Sequence, residues 1–305
     1  MKSLLSLLDL DQTAVTRLLN RADELHDLWH RRQMPQAIRG RHVALWFYRT
    51  GFRNRLAFEI GIRAMGGDPV YVPGELGAGE SAEDIARYLS NWFDLLIVRS
   101  RSHDALRRFA ENSSVPVINA RTDRGHPCEI LGDLQFVRRH RGNLDNLRVV
   151  FVGEHTNLCR SWLEAATILP IHVTQVCPQG YELPAAEFAT LTKQAVGTLA
   201  ITHTMEEILA MAPVDVLYTD CRPKGKSESE ISQIRKNFLP YQIAVSHLDC
   251  LSDRGVFLPC PPVTRGEEAT AEAVSDQRNL NYRAKEFLLH SQNALVETIL
   301  IGNDR

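Results

Sequence analysis

The 305-residue chain has no CxxC pair, no long uninterrupted apolar run and no excess of one charge. Its six cysteines (Cys128, Cys159, Cys177, Cys221, Cys250 and Cys260) are scattered, which argues against a zinc knuckle or a disulfide framework and fits a reducing compartment. Nothing approaches the roughly 18 apolar residues that cross a bilayer. The opening stretch 1–10 is interrupted by Lys2 and Asp9 and lacks a small-residue cleavage site, so no secretory signal is expected. Thirty-five basic side chains against 37 acidic ones leave a formal charge of −2. Without a basic face or aromatic–basic interleaving, neither nucleic acid nor an anionic membrane is an expected partner. Repeats and low-complexity segments are also missing. A soluble, cytoplasmic protein is the expectation.

What is present is apolar content of 44%, enough for a core in each of two domains at this length. Residues 11–32 place Val15, Leu18, Leu19, Ala22, Leu25, Leu28 and Trp29 at spacings of three and four, an amphipathic helix. Short apolar runs at 42–47, 70–72, 95–98 and 115–118 read as strands, with helices at 56–65 and 81–92 between them. A second series opens with the run 147–152, followed by a helix over 158–169 and strands at 171–176, 199–202, 214–218 and 243–245. Residues 138–146 read as a linker and 276–301 as a closing helix. Alternation of this kind predicts an α/β fold: two doubly wound parallel-sheet domains bridged by helices. Strand carboxyl ends and the loops after them would then face one interdomain cleft, where ligands of open α/β sheets bind.

Chemistry-bearing residues come after those strands. The segment 47–55 opens a helix with Arg49, Arg53 and Arg55, and a helix N-terminus ringed by guanidinium groups is an anion site. Read blandly, the same arginines are solvated surface groups. Arg99 ends a strand, where it either serves a site or snorkels into water. In Gly125-His126-Pro127-Cys128-Glu129 the imidazole can polarise a carbonyl, or the segment is only a turn. Asn157 stands at a helix start and Asp220 after a strand, each able to hold a polar substrate group or merely to cap. Cys260, in a Pro-rich loop, is either a site thiol or a buried structural one.

The order of these segments resembles the aspartate/ornithine carbamoyltransferase family, nearer its ornithine branch, over almost the whole chain. Phe47 to Arg55 stands where the family has F-x-x-x-S-x-R-T-R. Glu75-Leu76-Gly77 and Gly79-Glu80-Ser81 resemble the loop that enters a neighbouring subunit's site, and His126 to Glu129 resembles H-P-x-Q. Arg99, Asn157, Asp220 and Cys260 also match, with Pro259-Cys260-Pro261-Pro262 in place of H-C-L-P. The resemblance implies a domain over 1–140 that binds carbamoyl phosphate, joined by the tail 276–305, and an amino-acid domain over 147–275. It further implies a homotrimer with sites at subunit interfaces, and no metal or organic cofactor. Donor-site residues would be Gly51, Phe52, Arg53, Asn54, Arg55, Glu75, Arg99, His126 and Glu129. Acceptor-site residues would be Asn157, Asp220, Cys260 and Pro261; Lys224, which departs from the family pattern, is read as a contact for a carboxylate on a different acceptor. Arg53, Arg99 and His126 would stabilise charge on the carbamoyl oxygen, with Cys260 beside the attacking amine.

Several positions depart from the pattern: Gly51 for Ser, Asn54 for Thr, Glu129 and Glu75 for Gln, Leu288 for Arg, and Arg222-Pro223-Lys224-Gly225 where ornithine enzymes carry S-M-G. The expectation drawn is a carbamoyltransferase whose acceptor is ornithine-related but not ordinary L-ornithine. Its alternatives are an amidine-like donor or a catalytically inactive paralogue with a binding or regulatory role.

Overall fold

The computed structural model describes residues 3–48, 51–222 and 227–302. The chain forms two compact units, Met1–Phe136 with Lys285–Arg305, and Val137–Ala284.

In the first unit, α1 (Gln12–His30) begins where Asp11 accepts the N–H of Ala14 at 2.6 Å, satisfying one of the helix's orphan donors. There follow β1 (His42–Phe47), α2 (Phe52–Ala64), β2 (Asp68–Pro73), α3 (Ala82–Leu89), β3 (Leu95–Arg99), α4 (His103–Glu111), β4 (Val117–Arg121) and α5 (Pro127–Arg141). The four strands are all parallel, in the order β2-β1-β3-β4. Ile85, Ala86, Leu89, Leu106 and Phe109 pack on Leu96 and Val98 of the sheet, and each large side chain withdrawn from water contributes about 1.5–3 kcal/mol.

The second unit runs β5 (Arg148–Val152), α6 (Asn157–Ile168), β6 (His172–Val176), α7 (Ala185–Gln194), β7 (Thr198–Thr202), α8 (Glu206–Ala210), β8 (Val214–Thr219), α9 (Glu228–Phe238), β9 (Leu251–Pro259), α10 (Ala271–Ser275) and α11 (Asn281–Ala284). Its sheet is also parallel, ordered β7-β6-β5-β8-β9. The chain then rejoins the first unit as α12 (Phe287–Gly302), which packs on α1 and α2. Two parallel-sheet α/β units are therefore the architecture. No helix among the described residues is long and apolar enough to cross a membrane.

Four local expectations shift. Residues 243–245 are not a strand: Ile243 makes one isolated bridge to Ala269, and Val245 starts a 3-10 turn. The fifth strand of that sheet is β9, whose first half is polar and half-exposed around Gly255, so it lacks a strand's apolar signature. β4 lies later than 115–118, which makes Arg121 a strand-end residue. α5 extends to Arg141, so the first part of the stretch read as a linker is helical. This helix is buried on every side from Cys128 to Val137 and so shows no amphipathic period. The closing helix is shorter than 276–301. Arg278 folds back on Asp276, its Nε donating to Oδ1 at 2.9 Å, and this turn separates α10 from α11.

Candidate active site

Each sheet reverses its winding at one point, between β1 and β3 in the first unit and between β5 and β8 in the second. Ligands of open α/β sheets bind beyond the strand carboxyl ends at such points.

In the first unit, that place is the head of α2. Gly51 adopts φ +37° there, and no side chain caps the helix, leaving its first N–H groups available to an anion. A Cβ on Gly51 would lie 2.9 Å from Cδ and Nε of Arg99, so only glycine lets this guanidinium cross the helix start. Arg53 is exposed and lies over Phe52, its guanidinium 4.8 Å from the ring centroid. Arg55 covers Tyr71 at 4.3 Å. Tyr48 is faced by the guanidinium groups of Arg99 and Arg101, and its hydroxyl accepts from Arg121 Nη1 at 3.3 Å. The Nε groups of Arg55 and Arg99 are buried and have no hydrogen-bond partner among the described residues. Burial and the neighbouring charge of Arg121 push Arg99 down to about 10, so it still carries its charge at neutral pH.

His126 is buried beside this cluster. Asn54, also buried, directs Nδ2 at both the Ala120 carbonyl (3.1 Å) and His126 Nε2 (3.3 Å), while its oxygen accepts from Gln292 at 2.9 Å. The same Nε2 lies 3.4 Å from Glu129 Oε2, so the ring edge stands between an amide and a carboxylate. Burial, with Arg99 and Arg121 nearby, pushes His126 down to about 3 despite the opposing charge of Glu129. The imidazole is therefore neutral. Glu129 pairs with Lys285 Nζ at 2.7 Å, and the same ammonium reaches Asp133 at 2.9 Å. Burial would raise Glu129, but Lys285, with His126 and Arg53, outweighs it and holds the carboxyl below its usual range. Glu75 is likewise paired, with Arg101 Nε at 3.1 Å.

In the second unit, Thr156 caps α6, accepting from Cys159 N–H at 3.3 Å, and Asn157 is the helix's first, buried residue. Beyond β8, Asp220 accepts the N–H of Cys221 at 2.7 Å. Cys260 is buried, its N–H donating to Thr219 O at 2.8 Å, and Pro261 is half-buried beside it. Glu154 is raised to about 7 by burial and by the Asp220 charge, partly opposed by Arg222. Arg222 lies over Phe238 at 4.9 Å and donates through Nη2 to Tyr241 O at 2.8 Å. Its Nε and Nη1 are buried with no partner among the described residues. An acid pair beside a guanidinium with two open donors is a fitting receptor for a zwitterion.

The first unit thus gathers Gly51, Phe52, Arg53, Arg55, Arg99, His126 and Glu129 at one end of its sheet. Asn54 faces inward to His126, and Glu75 stands beside Arg101. The second unit gathers Asn157, Asp220, Cys260 and Pro261. Lys224, together with Arg49 and Thr50, lies outside the described residues. Sequence reasoning missed Arg121, Lys285, Gln292 and Arg222. Of these, Arg121 alone had a readable signal, a strand-end arginine like Arg99.

Comparison with known proteins bears on these two sites. Residues 2–139 match the family model described as aspartate/ornithine carbamoyltransferase, carbamoyl-P binding domain. Residues 145–299 match its Asp/Orn binding domain. An ornithine carbamoyltransferase of Halorhodospira halophila is 32% identical over 305 residues, covering 99% of this chain and 100% of that protein. The anabolic ornithine carbamoyltransferase of Pseudomonas aeruginosa is 34% identical over 299 residues, covering 97% and 96%. Among solved structures, ornithine carbamoyltransferase from Pyrococcus furiosus superposes with a TM-score of 0.91 at 27% identity, covering 99% of this chain and 97% of that one.

Proposed function

The chain belongs to the aspartate/ornithine carbamoyltransferase family, and on that premise we propose that it transfers the carbamoyl group of carbamoyl phosphate to the side-chain amine of L-ornithine or a close diamino acid. The observation that carries the reading is the head of α2, where the buried Nε groups of Arg55 and Arg99 have no partner among the described residues and Arg99 lies near the neutral imidazole of His126. Phosphate oxygens take the helix N–H groups and the guanidinium donors of Arg53 and Arg55. The carbamoyl oxygen accepts from Arg99 and from the His126 imidazole N–H. As the neutral amine attacks the carbonyl carbon, negative charge grows on that oxygen, and preorganised donors favour it most in the transition state. The C–N bond forms, the C–O bond to phosphate breaks, and the amine proton leaves with the phosphate. On the second unit, Asp220 and Glu154 suit the acceptor's α-ammonium, and the open donors of Arg222 suit its α-carboxylate, with Asn157 and Cys260 beside them.

The relatives named for ornithine make L-ornithine the first acceptor to test, against the expectation of a different amino acid. An amidine-like donor loses its motive, because Glu129 and Glu75 already hold Lys285 and Arg101. Assembly as a homotrimer in the cytoplasm is part of the proposal. Phe52, Leu56 and Ile60 form an exposed apolar stripe on α2 of the kind that subunit contact covers. Incubation with carbamoyl phosphate and a panel of diamino acids, following phosphate release, tests the reaction. Stoichiometric release with L-ornithine is expected, and no release with any amine would end the proposal.

A further inference from the structure

Away from the donor site, the end of α1 and the start of α12 bring four ligand-type side chains together. His26 and His30 lie one turn apart on α1, and Glu286 and His290 have the same spacing at the head of α12. One ligand atom from each falls within 4.8 Å of all the others. Glu286 Oε1 is 2.8 Å from His30 Nε2, 3.6 Å from His26 Nε2 and 3.9 Å from His290 Nε2. Four ligands at 2.0–2.1 Å from a tetrahedral ion stand about 3.3–3.4 Å apart, so these separations bracket the required edge.

From this geometry we infer that the first unit holds a divalent transition-metal ion between α1 and α12, bound by His26, His30, Glu286 and His290. Each of the four side chains turns one ligand atom to a common centre, and a central cation takes all four at once. Among the described residues no lysine or arginine pairs with Glu286 to fill that place. Asp27 lies 3.0 Å from His26 Nδ1 and holds the proton there, which turns the Nε2 lone pair inward. The His26 ring is also stacked on Phe287, with centroids 5.1 Å apart and planes at 7°. Three imidazoles and one carboxylate suit zinc and its neighbours rather than magnesium or calcium, which take oxygen ligands. Four protein ligands close the coordination sphere, so the ion serves structure and ties the first helix to the last.

The other His/Cys/acid group, Cys177, Glu182 and His203, is a poorer candidate. It has three ligands, burial pushes the Cys177 thiol up to about 12, and His203 Nδ1 is bonded to Cys177 O at 2.9 Å. It serves as an internal control. The test uses the full chain freed of metal by chelator and dialysis, titrated with Co2+ by visible absorption and with Zn2+ by calorimetry. One equivalent per chain is expected, with the intense absorption of tetrahedral cobalt, displaced by zinc. Zinc at about a hundredfold over Kd should raise the Tm by about 5 °C. His30→Gln and Glu286→Gln, both at exposed positions clear of the core, should each weaken binding at least about tenfold, while His203→Gln changes nothing. No uptake at submillimolar metal, the pale spectrum of six-coordinate cobalt, binding that survives both substitutions, or binding lost in His203→Gln would each overturn the assignment.

Discussion

Removing the Lys285 ammonium would take a cation away from two buried carboxylates. Its Nζ lies 2.7 Å from Glu129 and 2.9 Å from Asp133, both withdrawn from water. At an effective dielectric near 20, each contact carries a gross attraction of about 6 kcal/mol. Desolvation offsets most of that, and breaking a buried pair from one side typically costs about 3–5 kcal/mol. Lys285→Met, which keeps the stem's volume, should therefore destabilise the protein by that amount, read from urea midpoints in the full chain. Glu129→Gln forfeits the stabilisation that the depressed Glu129 carboxyl records, so alone it should also destabilise, but less than Lys285→Met because Asp133 still holds the ammonium. In the Lys285→Met background it should restore about 1–3 kcal/mol. The effect has a defined pH sign. Glu129 sits below its unfolded value of 4.5, so its stabilisation is complete above that pH and is lost as pH falls toward the lowered folded value. The Lys285→Met penalty must accordingly shrink in acid. A Lys285→Met midpoint equal to wild type at pH 7, or one that Glu129→Gln fails to raise, would refute the reasoning.

Gly51→Ser restores the hydroxyl of the family motif, yet its Cβ would meet Arg99 at 2.9 Å on a backbone with φ +37°. A left-handed conformation costs a non-glycine residue about 1–2 kcal/mol of stability, and displacement of Arg99 by the new side chain should lower carbamoyl phosphate turnover about tenfold or more; a gain would contradict the assigned place of Arg99. Because His126 is held down to about 3, the pH profile of kcat/KM should show no inflection from it near 6.5. His126→Asn, which keeps a neutral donor, should retain more activity than His126→Ala, whose expected loss is about 10²–10³-fold; equal losses would remove the donor role.

The strands that position the donor site were legible because β1 and β3 are short apolar runs closed by turn residues, and Arg99 announces itself at a strand end. Arg121 does the same work but was hidden by a strand placed two residues early. Pro116 lies just before β4, and the apolar Val115 drew the expected boundary forward. α5 was invisible for the opposite reason. A helix buried all round has no period to read, and Pro127 at its first turn looks like a loop until the helix behind it is seen. Lys285 and Gln292 were beyond any local reading, since each meets its partner from the far end of the chain. Pair interactions between distant segments leave no periodicity, and only packing α12 against α2 and α5 brings them together. At that crossing a Cβ on Gly132 would lie 3.1 Å from the Leu288 Cα, so backbone fills the space beside the residue that stands for the motif's arginine.

The departures from the family motif are matched rather than scattered. A buried carboxylate that had replaced a neutral amide by drift would stand unpaired at a cost of several kcal/mol; Glu129 instead has Lys285, while Glu75 is half-exposed and pairs with Arg101 at the surface. Asn54 sets its amide against His126, with Gln292 fixing that amide, and Gly51 vacates the volume that Arg99 occupies. With these pairs closed, the guanidinium groups of Arg53, Arg55, Arg99 and Arg121 make the head of α2 a cationic surface, and the buried Nε donors of Arg55 and Arg99 have no partner among the described residues. A cationic donor would be repelled there, whereas an anionic phosphate neutralises the cluster and satisfies those two donors. The substitutions that first suggest a lost or altered donor site therefore argue, taken with their partners, for one that still requires an anion.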